Sequence, residues 1–163
     1  MILIAYDGSD DARAAIEQAG KLFKGESATV VTVWQRFIDT MARIGGGVGA
    51  IVDYEEIDAA SEQSAIASAN EGAELASGVG LLAVGKSLVV DSTIAAAVLH
   101  VAAEVDADVV VLGSRGYTGF KSVMLGSVSS HVLHHADRPV LVVPSPAVAA
   151  ARAEQAGPAG LAG

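Results

Sequence analysis

The chain has no cysteine among its 163 residues, so a disulfide framework and cysteine metal ligands are both excluded. Aromatic residues make up 4% of the sequence against 52% hydrophobic residues in all, which leaves Val, Leu, Ile and Ala to build the core. Positive charge is scarce too: 10 Lys and Arg stand against 19 Asp and Glu, a formal net charge of -9. A nucleic acid or an anionic membrane surface needs a basic patch, so neither is expected as the main partner. No apolar run approaches the ~20 residues that a membrane span requires. Met1-Ile2-Leu3-Ile4-Ala5 has no basic residues ahead of it and runs straight into Asp7-Gly8, so it reads as a strand rather than a signal peptide. A cytoplasmic protein of one domain with a full core is the expectation.

What is present alternates between two patterns. Ile2–Tyr6 is an apolar run ended by Asp7-Gly8-Ser9-Asp10-Asp11, turn chemistry that also offers Ser9 or Asp10 as a helix N-cap. Ala12, Ala15, Ile16, Ala19, Leu22 and Phe23 then keep to one helical face, and Lys24-Gly25 stops the helix. Ala28–Trp34 reads as a second buried strand. From Gln35 to about Glu56 the pattern lapses around the glycine-rich Gly45–Gly49, predicting a long loop that serves as a flap or as a tolerated insertion. An Ala-rich helix over Ile57–Ser77 and a weak third strand over Val79–Val84 follow. Asp91-Ser92 offers a cap for the helical stripe Ile94, Ala97, Val98, Val101, Ala102 and Val105. Asp108–Leu112 is the fourth strand, and Pro139–Pro144 brackets a short last strand at an edge. Beyond Pro146 the Ala, Gly and Pro composition predicts a disordered tail over 147–163.

Strands apolar throughout, alternating with helices, predict an α/β fold: a single-domain, doubly wound, five-stranded parallel sheet. Ligands of such sheets lie beyond the carboxyl ends of the strands, where the strand order reverses. In the order 3-2-1-4-5 that point falls between the first and fourth strands, and Asp7 and Gly113 face each other across one crevice.

The fourth strand empties into Gly113-Ser114-Arg115-Gly116, and after nine intervening residues Gly126-Ser127 opens a helix with Ser127 at the N-cap position. Backbone N–H groups and a helix dipole directed at one place make an anion cradle. The loop is not a Walker A motif, since no GK[ST] occurs and Lys121 lies mid-loop. A bare G-x-x-G is equally a tight left-handed turn, with Ser127 only capping a helix; the complete spacing favours the phosphate reading.

The G-x2-G-x9-G-S spacing, Ala5-Tyr6-Asp7-Gly8-Ser9, Ala107–Gly116 and Arg138–Pro144 together resemble the ATP-binding branch of the universal stress protein family. The resemblance covers most of 1–144, and with it a domain over 1–146. It implies the adenine nucleotide α-hydrolase-like (Rossmann-like) sheet and ATP as ligand, with Mg2+ bridging the phosphates. Position by position, it places Asp7 on the ribose hydroxyls and the Val33 backbone at the adenine edge. Gly113, Arg115 and Gly116 fall on the α- and β-phosphates, and Gly126, Ser127, Val128 and Ser129 on the γ-phosphate. It also implies a homodimer through Val140, Leu141, Val142 and Val143.

No residue near Ser127 is an obvious water positioner, so holding ATP is expected and hydrolysis is slow or absent. His131 and His135 share a helix face, but without an H-E-x-x-H they predict no metal site, and no nucleophilic triad is visible. The alternative is a dimeric interaction module of the same fold that binds no nucleotide.

Overall fold

The computed structural model describes residues 1–44, 53–116 and 125–155. The β-branched and aliphatic runs form five parallel strands: β1 (Ile2–Ala5), β2 (Ser27–Gln35), β3 (Leu82–Val90), β4 (Val109–Gly113) and β5 (Val140–Val143). They lie in the order β3-β2-β1-β4-β5. β1 is thus the central strand, with Ile4 in register with Val30 on one side and Val111 on the other. Six helices accompany them among the described residues: α1 (Asp10–Leu22), α2 (Phe37–Ile44), α3 (Tyr54–Gly78), α4 (Ile94–Glu104), α5 (Ser127–His135) and α6 (Pro146–Gln155).

Strand alternation sends side chains to two separate cores. Ile2, Ile4, Tyr6, Val30 and Val111 meet Ala12, Ala15, Ile16 and Ala19 of α1 and Ala73 and Ala76 of α3. On the opposite face Leu3, Val31, Val110 and Leu112 meet Ala95, Val98, Val101 and Ala102 of α4 and Val132 of α5. With so few aromatic residues, density comes from close approach: the helical sides are mostly alanine, and the backbones sit near the sheet.

Five expectations need correcting. The third strand is Leu82–Val90, not Val79–Val84. Gly85 lies inside it because a Cβ there would stand 2.7 Å from the Ala69 carbonyl oxygen, so it lets α3 close on the strand instead of weakening it. The stretch read as loop from Gln35 begins with α2, which Asp58 of α3 holds by accepting the Phe37 N–H at 2.7 Å. Phe37 also stacks on Tyr54, with ring centroids 6.0 Å apart. The Gly45–Gly49 part of that prediction lies outside the described residues. Leu22, predicted on the buried face of α1, is 54% exposed at the helix's last turn. Finally, the tail begins with α6: proline at the first helical position and an alanine-rich sequence favour helix, and Val148 is 3% exposed. Residues 156–163 lie outside the description. Elsewhere, Ser9 caps α1 as expected, whereas the cap of α4 is Thr93 rather than Asp91 or Ser92.

Tyr6, 2% exposed, donates its hydroxyl to Glu71 at 2.9 Å, and Arg13 pairs with the same carboxylate at 2.6 Å. Burial, then the bond to Glu71, pushes the phenol from 10.0 up to about 12. An acid whose folded value is raised adds stability below its unfolded value, and that stability is lost as pH climbs from about 10 to 12. Ultraviolet titration of the three tyrosines is expected to show one ionising only near pH 12, and Tyr6→Phe to abolish that component.

Candidate functional site

β1 and β4 are neighbours, and the chain leaves β1 towards β2 but returns through β3 and α4 to β4, so the strand order reverses between them. Two turns meet above this point. After β1, the Asp7 carboxylate accepts the Ser9 N–H at 3.1 Å while Gly8 takes the left-handed conformation at φ 80. Ser9 then caps α1 by accepting the Ala12 N–H at 3.2 Å. Its hydroxyl also donates to the Arg115 carbonyl at 3.4 Å, tying the first turn to the glycine loop.

The stem of that loop is fixed at several points. The Ser114 N–H donates to the Val143 carbonyl at 2.7 Å, and the Gly126 N–H to the Ser114 carbonyl at 2.8 Å, so the loop closes on itself before α5 starts. Ser129 of α5 is buried and donates its hydroxyl to the Gly113 carbonyl at 2.8 Å. Gly126, not Ser127, occupies the N-cap of α5; Ser127 is the first helical residue and is exposed. A Cβ at Gly126 would lie 3.3 Å from the Arg115 Cα, so glycine at the cap lets the two ends of the loop approach. The N–H groups of Ser127, Val128 and Ser129 belong to the first turn and have no acceptor within the helix.

Neither loop glycine is there for a left-handed turn, since Gly8, Gly25 and Gly80 are the glycines with positive φ among the described residues. Space is the reason. A Cβ on Gly113 would stand 2.7 Å from the Asp11 carbonyl carbon and 2.8 Å from the Ala12 nitrogen, inside the first turn of α1. A Cβ on Gly116 would stand 2.7 Å from the Asp7 Oδ2. Asp7 and the loop are therefore brought together as the topology requires, with Gly116 leaving room beside the carboxylate. An open pocket of about 420 Å³ lies there among the described residues, bordered by Gly8, Ser9, Arg115, Gly116, Ser145 and Ala147.

Val33 sits apart from this group. β2 runs on past its last register pair with β1, Ala5 with Val31, and Val33 lies in that overhang, paired with Leu88 of β3. Leu88 in turn lines a second depression of about 580 Å³, with Arg36, Asp39, Asp91 and His100 at its polar side. Lys121 lies outside the described residues.

Sequence reasoning missed the group beneath the loop. Asp11 is 5% exposed and accepts the Ser114 hydroxyl at 2.7 Å, with the Arg115 Nε 3.9 Å away. Burial alone raises its carboxyl. Hydrogen bonds from the Ser145 and Ser114 side chains and the Ser145 backbone, and the Arg115 charge, outweigh that and hold it below its ordinary 3.8. The signal was present: Asp11 stands four residues before Ala15, on the stripe that faces the core. Its place in a run of turn residues hid it. The Arg115 Nε therefore faces the buried carboxylate, with the side chain 22% exposed.

His131 and His135 stack with ring centroids 4.1 Å apart, and His135 Nδ1 lies 2.9 Å from the His131 carbonyl oxygen. Among the described residues no group of His, Asp and Glu is arranged to hold a metal ion, and no helix is long and apolar enough to cross a membrane.

The sequence matches the model of the Universal stress protein family over residues 1–144. Universal stress protein YxiE of Bacillus subtilis is 30% identical over 145 residues, which cover 87% of this chain and 97% of that protein. Universal stress protein Sll1388 of Synechocystis is 60% identical over 38 residues, 23% of this chain and 25% of that protein. Among solved structures, MJ0577 of Methanocaldococcus jannaschii superimposes with a TM-score of 0.70 at 21% identity, covering 88% of this chain and 94% of that one. A universal stress protein of Archaeoglobus fulgidus, solved in complex with dAMP, superimposes at 0.58 with 21% identity, covering 87% and 95%. On the strength of the family match and of YxiE, this chain belongs to the universal stress protein family.

Proposed function

We propose that the chain binds an adenine nucleotide, ATP as its magnesium complex, across the crevice between β1 and β4. The observation that carries the reading is the juxtaposition of Asp7 with Gly116, where a Cβ would occupy the space beside the carboxylate. A carboxylate there accepts hydrogen bonds from ribose hydroxyls, and Val33 in the β2 overhang offers its backbone to the base. The N–H groups of Gly113, Arg115 and Gly116 take the inner phosphates; those of Ser127, Val128 and Ser129 take the outermost, while the Gly126 N–H, expected among them, is already given to the Ser114 carbonyl. The dAMP complex of the Archaeoglobus protein supports an adenine nucleotide as the ligand class.

The site has no protein donor set for a resident metal among the described residues, and Asp7 and Asp10 are exposed at its rim. Magnesium would arrive on the phosphates and offset charge that an acidic rim otherwise repels. Nothing among the described residues at the pocket activates a water, so the nucleotide is held rather than consumed. The protein acts in the cytoplasm as a homodimeric, nucleotide-occupied regulator of the stress response, paired through the edge strand β5, Val140–Val143.

Nucleotide released from the purified protein by denaturation, separated by chromatography, tests this reading. ATP with little ADP is the expected content. Asp7→Ala removes hydrogen bonds to a charged group, worth ~1.5–3 kcal/mol, and is expected to weaken binding roughly tenfold to a hundredfold. Wild-type protein that carries no nucleotide and takes none from a solution of ATP and Mg2+ would leave the interaction module as the better reading.

A further inference from the structure

The family match ends at residue 144, and α6 begins immediately after it at Pro146. This added helix is docked on the nucleotide site rather than elsewhere. Ser145 and Ala147 border the pocket that Gly8, Arg115 and Gly116 form. Val148 is buried, as is Ser145, which shares the pocket wall with Asp11 and helps hold its carboxyl ionised. About one turn beyond Val148, Arg152 donates from Nη2 to the Ser114 hydroxyl at 3.4 Å, and that hydroxyl donates to Asp11 at 2.7 Å. Ser114 is 0% exposed and lies between Gly113 and Arg115, so it is the buried root of the glycine loop.

We propose that α6 is a clamp built onto the family domain: Arg152 acts through Ser114, and Ser145 through Asp11, to hold the glycine loop in its anion-receiving shape. Arg152 is a positioning residue, for it reaches the loop's root and not the pocket. The guanidinium polarises the Ser114 hydroxyl towards Asp11, which shortens the room that Ser114 has to rotate. The Ser114 carbonyl is the acceptor for the Gly126 N–H, so motion at Ser114 is felt where the loop closes on α5. Retention of ligand is thereby linked to a helix outside the shared domain, and whatever displaces α6 loosens the loop. The identity of that ligand rests on the nucleotide reading above; the clamp itself does not.

Hydrogen exchange of the full-length, ligand-free protein, read by peptide for residues 109–116 and 145–155, tests the clamp without a nucleotide. Arg152→Ala is expected to speed exchange at Ser114, whose N–H donates to the Val143 carbonyl, by roughly three- to tenfold, the loss of about one hydrogen bond. Arg152→Lys, which keeps a cation at that position, is expected to restore at least part of the protection. Faster exchange in α6 alone, with the loop unchanged, would overturn the proposal, because a helix that merely covers the surface frays without altering its neighbour. The second arm is nucleotide dissociation from stopped-flow displacement, where Arg152→Ala is expected to release ligand roughly three- to tenfold faster. Loop protection lost in the first arm by a protein that binds no nucleotide would uphold the clamp while refuting the nucleotide reading.

Discussion

Gly113→Ala is expected to lower the stability of the chain by about 3 kcal/mol. The new Cβ would enter the backbone of α1 at 2.7 Å from the Asp11 carbonyl carbon and 2.8 Å from the Ala12 nitrogen. Neither is the movable end of a side chain, so relief requires α1 or β4 to shift. Both are part of the core: Ala12 packs with Ile4 and Val111, and Leu112, just before Gly113, packs with Val98 and Val101. Gly116→Ala is the informative contrast. Its Cβ meets the Asp7 Oδ2, the end of an exposed side chain that can swing aside, and its φ is not left-handed. A stability change under about 1 kcal/mol is expected there, with the damage falling on ligand binding instead. Urea unfolding followed by the fluorescence of the single tryptophan, Trp34, separates the two. Equal midpoints for both variants would contradict the packing account of the loop.

Asp11→Ala is expected to be at least as damaging, costing roughly 3–5 kcal/mol as expected for breaking a buried, charge-paired network. The carboxylate is the common acceptor for Ser114 and Ser145 and the counter-charge beside Arg115, and no water reaches its 6% exposed side chain easily enough to replace it. Its titration gives an independent readout. The folded value lies below the unfolded 3.8, so the contribution of Asp11 to stability is complete above 3.8 and is lost as pH falls through the folded value. Wild-type stability should therefore drop as acid is added below about pH 3.8, and Asp11→Asn should be weaker at neutral pH but flatter on the acid side. Parallel acid limbs for wild type and Asp11→Asn in urea titrations would show that the network does not hold the carboxylate ionised.

The sheet and its switch point were legible because they rest on long, one-sided signals. Val109–Leu112 is β-branched without interruption before a glycine, and Ala12, Ala15, Ile16 and Ala19 keep helical period for two turns. Errors came where one residue type serves two purposes. The third strand looks weak around its glycines, yet Gly85 is the contact point of α3 with β3. The Ala, Gly and Pro composition of 147–163 predicts a disordered tail, although alanine is also the strongest helix former and 146–155 is helical. At the loop, spacing picked out the glycines and set the phosphate reading above the left-handed turn, but it put the helix cap at Ser127. Gly113 and Gly116 are short of room rather than in need of positive φ, and Gly126 takes the cap. Asp11, Ser114, Ser145 and Arg152 escaped because their partners lie 103 and 38 residues apart along the chain, and a periodicity window has no access to such pairs.

Calorimetric titration of the wild type and of Gly116→Ala with ATP in the presence of Mg2+ tests the central claim most directly. The predicted result is saturable binding of one ATP per wild-type chain, weakened roughly tenfold or more in Gly116→Ala because the added methyl displaces Asp7 from the ribose. Equal affinity in the two proteins, with the same fold by circular dichroism, would place the nucleotide away from the crevice between β1 and β4 and contradict the account.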